Sequence, residues 1–517
     1  MRIAVYSHNY WPEPTGIPYY NTSMCTWLAR RRGWQVTVRT GLPHYPWWHV
    51  PEAYATRDYR DGRGDEVVDG VTVERVRHFV PSPPPSCLAR MRLDLSWLAA
   101  VAWRSLRTRE RPDAIVLIAP PFLIGLLGLW LRLRWHVPVV YHVQDLQVDA
   151  AIELGMMPRA LAGMLLACER LILGNVDLVT TISAAMRRQV GAKTEGRHAV
   201  SMFPNWVDDR GMRPWTGTNR FRLAWGLGPE ATVAMYAGNL GKKQGLEVLI
   251  AAAALLPPHV TVVIAGAGGE RAALEQHAAC RAPGRIRFCD LVDAADLPEF
   301  LSAGDIHCVV QRSAVAEAVM PSKLLNIMAV ERPVVVTACA GTDLAMAVQA
   351  ASAGIVVPPD DPEALAAAIT SLASDPERRL QSGTAARIWV VATFGIDRVL
   401  GRFAARLRLL VQRTGTKRTR WVHESPSRSI GMRKQRNGGE ITVAIPVASG
   451  AVTVAATPPL QLIPIVPVPA LNSTAAGPSA TTSAPGSAIS KGRLTKGASR
   501  PVNATTAVIS RPPSTKP

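Results

Sequence analysis

The sequence predicts an α/β protein in which two Rossmann-like domains face a central cleft, followed by a disordered C-terminal tail. Three observations support this prediction. Strand-like apolar runs alternate with segments of helical period over about the first 200 residues. The alternation restarts after residues 203–217, an aperiodic stretch with Pro, Gly and Trp. From Arg413 onward the composition changes again, with thirteen prolines and one aromatic residue in 105 residues.

The first predicted domain spans residues 1–205 and has the alternation typical of a parallel sheet covered on both faces. Its predicted strands are 2–9, 34–40, 113–119, 137–145 and 176–183, and its predicted helices include 17–32 and 159–174. Residues 114–131 carry no charge and are about long enough to span a bilayer. Because Pro120 and Pro121 interrupt this run, we expect a buried strand, a Pro-Pro turn and a helix instead.

The second predicted domain spans residues 206–395 and repeats the same plan without repeating the sequence. Its predicted strands are 231–238, 260–268, 285–290, 305–311, 332–338 and 353–359. Its predicted helices are 269–280, 294–303, 321–330 and one that starts at Pro362. Two α/β domains joined by a linker create a cleft at the carboxyl ends of their strands, where ligands usually bind.

Charge and cysteine usage narrow the functional classes. The tail, 413–517, holds 14 of the 58 Lys and Arg residues and only 2 of the 39 Asp and Glu residues, so it carries +12 of the net charge of +19. The remaining +7 makes the globular part moderately basic and does not indicate nucleic-acid binding. The seven cysteines have no close pair, which predicts a reducing compartment without a cysteine zinc site or a disulfide framework. The first residues lack a signal-peptide pattern, so we expect a cytoplasmic protein.

A glycine-rich loop, "YAGNLGKKQG" (236–245), separates a buried strand from a helix. Its glycines and the following helix would present backbone N–H groups to one point, which suits a phosphate. Gly238 and Asn239 open the loop, and Lys242 and Lys243 add full positive charge. The alternative is an ordinary turn with solvated lysines.

Polar residues also follow other predicted strands. Gly16 lies in the loop after the first strand and permits a close backbone approach. His142 and Asp145 end another strand, where an imidazole and a carboxylate could exchange protons, unless the histidine is structural. Lys323 opens a helix and Asn326 follows one turn later. Since a lysine there opposes the helix dipole, an anionic ligand would explain its position.

One loop weakly matches a dinucleotide fingerprint. Gly266 and Gly268 follow a strand, and Asp290 lies about twenty residues further on, but Arg271 stands where a third glycine is expected. This loop alone suggests an NAD(P)-dependent oxidoreductase as an alternative function.

Six segments, taken in order and spacing, resemble the family 4 glycosyltransferases of the GT-B fold: "YSHNYWPEPTGIPYYN", "HVQDLQVDAAIELG", "FPNWVD", "YAGNLGKKQGLE", "IAGAGGERAALE" and "PSKLLNIMA". Within this family the likeness is strongest to bacterial exopolysaccharide transferases of the colanic-acid type. It covers about residues 1–410. The resemblance implies retaining, metal-independent sugar transfer from a nucleoside diphosphate sugar to an acceptor hydroxyl. It also implies a last helix, 396–412, that crosses back to the first domain.

The resemblance also implies site residues. Gly16 would approach the donor diphosphate, His142 would lie at the transferred sugar, and Lys243 would neutralise the leaving diphosphate. Lys323 would be a second phosphate ligand and Asn326 would meet the ribose.

The chain departs from the family pattern at several positions. Asn239 and Gln244 stand where the family usually has Arg and Lys, so Lys242 or Lys243 would supply the charge. Ala318 and Asn326 replace a pair of glutamates. A homologue of these enzymes that has lost catalytic activity is therefore an alternative.

The chain contains no Asp-x-Asp, so the usual acidic pair that holds a divalent ion against a diphosphate is missing, and we expect neither a metal nor another cofactor. Residues 90–111 form a basic segment with Trp97 and Trp103, predicted to be an amphipathic helix. It could rest on the inner membrane face, near a polyprenyl-linked glycan acceptor, or simply cover the core. A non-catalytic sugar- or nucleic-acid-binding protein is a third alternative, although the tail lacks aromatic residues for stacking on bases.

Overall fold

Two sheets of predominantly parallel strands, each flanked by helices, form the described part of the computed structural model. The structure describes residues 1–423 except 15, 60–61, 84, 154–158, 195, 197–198, 229 and 314–321. The prediction of two α/β domains is confirmed.

The first sheet has the strand order β3-β4-β2-β1-β5-β6-β7-β8, and within it only β3 pairs in the antiparallel direction. Its strands are β1 (Arg2–Tyr6), β2 (Gln35–Thr40), β3 (Glu66–Val68), β4 (Val71–Arg75), β5 (Ala114–Ala119), β6 (Val139–Val143), β7 (Leu178–Thr181) and β8 (Ser201–Met202). Every residue of β5 and β6 is buried, as expected for central strands covered on both faces.

Seven helices flank this sheet in the described residues: α1 (Ile17–Arg32), α2 (Glu52–Ala55), α3 (Cys87–Arg107), α4 (Ile124–Trp135), α5 (Gln147–Glu153), α6 (Arg159–Asn175) and α7 (Ala184–Lys193). The apolar run at 114–131 divides into β5, a Pro-Pro turn and the start of α4, as predicted. In the described part of the chain, no helix combines the length and apolar character needed to cross a bilayer.

The second sheet has the order β11-β10-β9-β12-β13-β14 and is parallel throughout. Its strands are β9 (Thr232–Ala237), β10 (Val260–Ala265), β11 (Ile286–Cys289), β12 (Ile306–Val309), β13 (Val334–Thr337) and β14 (Gly354–Val357). The strand order reverses between β9 and β12, the position where doubly wound sheets bind ligands.

The described helices of this half are α8 (Arg220–Ala224), α9 (Glu247–Leu255), α10 (Arg271–Arg281), α11 (Leu297–Ser302), α12 (Ser322–Ala329), α13 (Asp343–Ala350), α14 (Pro362–Ala373) and α15 (Pro376–Phe394). A 3₁₀ turn at Lys242–Gln244 precedes α9. The periodicity predicted every strand of this sheet to within a few residues, because buried parallel strands are continuous apolar runs.

The last helix, α16 (Ile396–His423), packs against the first domain. Its apolar face joins the core beneath the first sheet, and Phe403 stacks on Phe203 with the ring centroids 4.1 Å apart. Asp397 accepts hydrogen bonds from the Trp27 indole, at 2.7 Å, and from Arg210, at 2.6 Å.

The helix extends to His423, beyond its predicted end at residue 412. The reason is that no proline occurs before Pro426 to interrupt the helix. Residues 424–517, the rest of the predicted disordered tail, lie outside the described residues.

The two halves meet through backbone and side-chain contacts. Val207, in the predicted linker, donates to Phe394 O and accepts from Ile396 N, both at 2.9 Å. Ala185 N at the start of α7 donates to Asp343 Oδ2 at the start of α13, at 3.1 Å. These bonds hold the carboxyl ends of the two sheets on either side of one cleft.

Candidate active site between the two domains

On the first domain, a hydrogen-bonded network lines the edge of the cleft. Gln144, directly after β6, donates to Asn21 Oδ1 at 3.1 Å. The buried Asn21 of α1 donates in turn to Ser7 Oγ, directly after β1, at 2.8 Å. The network fixes the start of α1, where Gly16 is the helix cap with φ of 72° and ψ of −135°. Residues that carry a side chain rarely adopt this backbone conformation, so glycine is required there.

His142 lies inside the sheet. Its side chain is only 2% exposed, its Nδ1 lies 2.9 Å from Thr180 Oγ1, and its ring packs 4.8 Å from the Phe203 ring. Burial lowers the pKa of His142 to about 3, so the imidazole is neutral at pH 7. This buried environment fits a structural histidine, and the place of His142 at the transferred sugar stays a prediction. Gln144 and Asp145 are the polar side chains that follow β6.

Asp145 of the first domain and Lys243 of the second lie close enough to interact electrostatically. Desolvation raises the pKa of Asp145 although its side chain reaches solvent. A hydrogen bond from the Leu146 backbone and the positive charge of Lys243 both oppose that rise in pKa. Lys243 is itself exposed in the 3₁₀ turn before α9. The structure therefore brings together one predicted residue from each domain.

The two glycine loops of the second domain pack directly on each other. A Cβ atom at Gly266 would lie 1.9 Å from Gly238 O, and one at Gly268 would lie 2.2 Å from Leu240 O. Backbone hydrogen bonds from Gly238 N to Ala265 O and from Leu240 N to Ala267 O, both at 2.9 Å, hold the contact. Only glycine permits this approach, which places both loops at the end of β9 and β10.

Lys323 reaches the same place from α12. Its Nζ lies 4.0 Å from the centroid of the Tyr236 ring and 3.5 Å from the position of a Cβ atom on Gly238. Burial lowers the pKa of Lys323 to about 7, and the nearby Cys308 thiol opposes the shift. Within the described residues this ammonium has no ion pair. The Lys323 ammonium is thus largely removed from water and lies beside the glycine loops.

The other predicted binding residues lie around this point. Asn239 accepts a 2.8 Å hydrogen bond from the Tyr236 hydroxyl through its backbone carbonyl, and its side chain is exposed. Lys242 is exposed beside Lys243, and Asn326 is partly buried one turn beyond Lys323. Glu317 and Ala318, near the position of the missing first glutamate, lie outside the described residues.

A contact between the starts of α1 and α12 was not predicted from the sequence. Ser322 of α12 lies close enough to Tyr20 of α1 to offset part of the rise in pKa that burial causes at Tyr20. The places of Asn21 and Gln144 in the site were not predicted either. The signal for Gln144 was its place directly before Asp145 at a strand end, whereas nothing in the sequence pairs Tyr20 with Ser322.

The dinucleotide-like loop has a different internal structure. The Arg271 guanidinium, at the place of the third glycine, donates to Gly266 O at 2.9 Å and pairs with Asp290. Asp290, the residue that a dinucleotide fingerprint would place at a ribose, therefore pairs with the arginine beside the Gly266 loop.

Comparison with known proteins agrees with this architecture. Residues 15–206 match the family model described as glycosyl transferase 4-like domain, and residues 231–375 match that of glycosyl transferases group 1. The chain is 35% identical over 413 residues to a putative colanic acid biosynthesis glycosyl transferase, WcaI, of Escherichia coli, covering 78% of this chain and 98% of the relative.

Two solved structures share the fold. Sucrose-phosphate synthase from Thermosynechococcus elongatus has a TM-score of 0.63 at 20% identity, covering 80% of this chain and 99% of that one. HepE of Anabaena, solved with UDP and glucose, has a TM-score of 0.57 at 16% identity, covering 79% and 99%. Both family models match, and the identity to WcaI extends over most of both chains. This chain therefore belongs to the family 4 glycosyltransferases of the GT-B fold.

Proposed function

We propose that this protein is a retaining, metal-independent glycosyltransferase that moves a sugar from a nucleoside diphosphate sugar to a lipid-linked glycan acceptor in exopolysaccharide synthesis. The observation that carries the proposal is the desolvated Lys323 ammonium against the Gly238 and Gly266 loops. A partly buried cation without a counter-charge is unfavourable in the free protein, and a diphosphate would supply that charge. The nucleotide complexes of HepE support the choice of donor.

In this mechanism cationic side chains stabilise the departing diphosphate. Lys323 binds it from the floor of the second domain, while Lys243 reaches it from the 3₁₀ turn and Gly16 borders it from the first domain. Such preorganised charges act where negative charge develops, and losing one typically costs about 10²–10³ in kcat. Asp145 orients Lys243 and accepts a hydrogen bond from the transferred sugar. His142 positions Gln144 and Asp145 from within β6.

Thermal shift of the full chain with UDP, GDP, dTDP and NAD tests donor binding. We expect one nucleoside diphosphate to raise the Tm by mass action, and Lys243→Met to reduce that rise. The matched control is Arg281→Met, which removes an exposed cation at the far end of α10. A rise with NAD alone would instead indicate the oxidoreductase alternative.

The stereochemistry and the metal requirement need separate measurements. NMR of the product should show the anomeric configuration of the donor, because the mechanism is retaining. Adding Mg²⁺ or Mn²⁺ to dialysed enzyme should leave kcat unchanged. An inverted product, or strict dependence on either ion, would contradict the corresponding part of the proposal.

The acceptor side has a surface suited to a membrane. In α3 the residues spaced for one face are buried: Leu93, Trp97, Val101 and Ser105. The opposite face exposes an apolar stripe that consists of Leu88 (77%), Met91 (41%), Leu95 (49%), Trp103 (58%) and Leu106 (46%). One face of the helix therefore covers the core, and contact of the opposite face with a membrane stays a prediction. Arg90 and Arg92 lie near the first turns of the helix and stack on Trp48 and Phe79.

We propose that the α3 stripe rests on the cytoplasmic face of the membrane, since apolar side chains flanked by arginines bind anionic headgroups. Co-sedimentation with phosphatidylglycerol vesicles should fall when Leu88, Met91 and Leu95 are changed together to Ser. The control changes three leucines elsewhere that are each more than 65% exposed, Leu133, Leu223 and Leu380, to Ser. Equal loss in both triple variants would contradict a specific role for α3.

A further inference from the structure

Three histidines converge at the carboxyl edge of the first sheet. His8 follows β1, His44 follows β2 and His78 follows β4, and these strands are neighbours in the order β4-β2-β1. One ring nitrogen from each histidine lies within 4.8 Å of the other two. The ring centroids form a triangle with sides of 5.0, 5.3 and 5.4 Å. Distant segments of sequence thus place three potential ligands at one point.

Hydrogen bonds fix the tautomers of two of these rings. His44 Nδ1 lies 2.9 Å from Leu42 O, and His78 Nδ1 lies 3.0 Å from Phe79 O. A carbonyl oxygen only accepts, so both Nδ1 atoms carry the proton and both Nε2 atoms keep a lone pair. Metal-binding histidines are usually oriented in this way, by a carbonyl or carboxylate at the other ring nitrogen.

His8 completes the pattern. Its Nδ1 lies 3.6 Å from the carboxylate of Asp94, and its Nε2 is buried without a hydrogen-bond partner. The residue is only 5% exposed and stacks on Trp97, 4.8 Å between ring centroids. A buried polar atom normally has a partner, so the orphaned Nε2 points to a ligand.

We propose that His8, His44 and His78 bind a divalent transition metal ion, with zinc the best match. Imidazole nitrogens suit zinc, and three protein ligands leave a fourth position for water or another group. Ligands of a tetrahedral zinc ion with bonds of about 2.0–2.1 Å lie roughly 3.4 Å apart. The three rings must therefore move closer together by about an ångström. The ion would also replace the hydrogen bond that Leu42 N donates to His78 Nε2 at 3.0 Å.

This site differs from the donor site in place and role. Its histidines follow β1, β2 and β4, whereas Asp145 follows β6 of the same sheet and Lys323 and the glycine loops belong to the second domain. The ion would tie the segment that contains Leu42 and His44 to the ends of β1 and β4. The expectation of no metal came from the missing Asp-x-Asp and the scattered cysteines. These features argue against an ion at a diphosphate and against a cysteine zinc site, whereas an imidazole site leaves no such spacing pattern in the sequence.

The first experiment uses the full wild-type chain, stripped with a chelator and loaded with Zn²⁺ or Co²⁺. We expect one ion per chain after gel filtration, a rise in Tm, and visible d–d bands for the Co²⁺ form. X-ray absorption of the zinc form should show three imidazole scatterers. Failure of the folded wild type to retain an ion, or scattering from fewer than three imidazoles, would overturn the proposal without any variant.

The second experiment assigns the ligands. His8→Gln, His44→Gln and His78→Gln should each abolish retention of the ion and the Co²⁺ bands. The matched control is His49→Gln, which removes an exposed histidine five residues beyond His44 and should retain both. Retention in all three ligand variants, or its loss in the folded control, would overturn the assignment.

Discussion

The pKa of Lys323 makes nucleotide affinity depend on pH in a specific way. In the free protein the pKa of this lysine is lowered from 10.5 to about 7, because burial against Tyr236 and Gly238 removes water from the ammonium. A diphosphate within contact distance favours the charged form and raises that pKa again. Binding above pH 7 must therefore be accompanied by proton uptake at Lys323.

The magnitude follows from the fraction of free protein that is already protonated. At pH 6 about nine-tenths of the Lys323 side chains are charged, and at pH 8 about one in eleven. The apparent Kd for a nucleoside diphosphate should thus weaken by about tenfold from pH 6 to pH 8, with about 0.9 proton taken up per nucleotide at pH 8. Lys323→Met removes the charge-assisted contact, which we expect to weaken binding by roughly 10- to 100-fold at pH 6.

Isothermal titration calorimetry tests this prediction with whichever of UDP, GDP and dTDP gives a thermal shift. Titrations at pH 8 in two buffers of different ionisation enthalpy count the protons taken up. The phosphate itself titrates near pH 6, but that contribution is the same for wild type and Lys323→Met and cancels in the comparison. Equal pH dependence in the two proteins would refute the assignment of Lys323 to the diphosphate.

The same variant tests the stability of the free protein. Because the folded pKa of Lys323 lies below its ordinary value, the unfolded chain binds the extra proton between about pH 7 and 10.5. The destabilisation is complete below pH 7 and disappears as the pH rises towards 10.5. Lys323→Met should therefore be at least as stable as wild type at pH 7 while binding nucleotide less tightly. A variant that is markedly less stable would contradict the burial argument.

Three further predictions test other contacts. The pKa of His142 is lowered to about 3 by burial, so the unfolded chain binds more protons between about pH 3 and 6.5 and stability falls as the pH falls through that window. Between pH 6.5 and pH 4.5 the free energy of unfolding in urea should fall by about 2–3 kcal/mol less for His142→Gln than for wild type. Equal losses of unfolding free energy would contradict a neutral buried imidazole. Gly266→Ala places a Cβ atom 1.9 Å from a backbone oxygen and should abolish the nucleotide-induced thermal shift, whereas Gly269→Ala, where a Cβ atom meets nothing within 4 Å, should retain it. Similar thermal shifts in the two alanine variants would show that the loop contact is not needed. Phe403→Ala removes a ring that is 4% exposed and should cost about 3–5 kcal/mol in urea unfolding, while a cost below about 1 kcal/mol would show that α16 contributes little to the first domain.

The sequence by itself determined the alternation of strands and helices and therefore the two parallel sheets. Buried parallel strands are continuous apolar runs, which explains why β5, β9, β10 and β13 were predicted. It missed β3, β4 and β8, because these short strands lie at or next to the edges of the first sheet and are not continuous apolar runs. The glycine positions were also readable, since a tight strand-to-helix turn requires them.

Only the tertiary structure decided which side chains face the cleft. His142 and Asp145 are three residues apart, yet the histidine lies inside β6 and the carboxylate meets the charge of Lys243 from the other domain. Trp97 and Trp103 belong to one helix but are 0% and 58% exposed. Local sequence constrains backbone conformation within a few residues. Burial, pKa and the meeting of His8, His44 and His78 depend on packing between segments far apart in the chain, which no local pattern records.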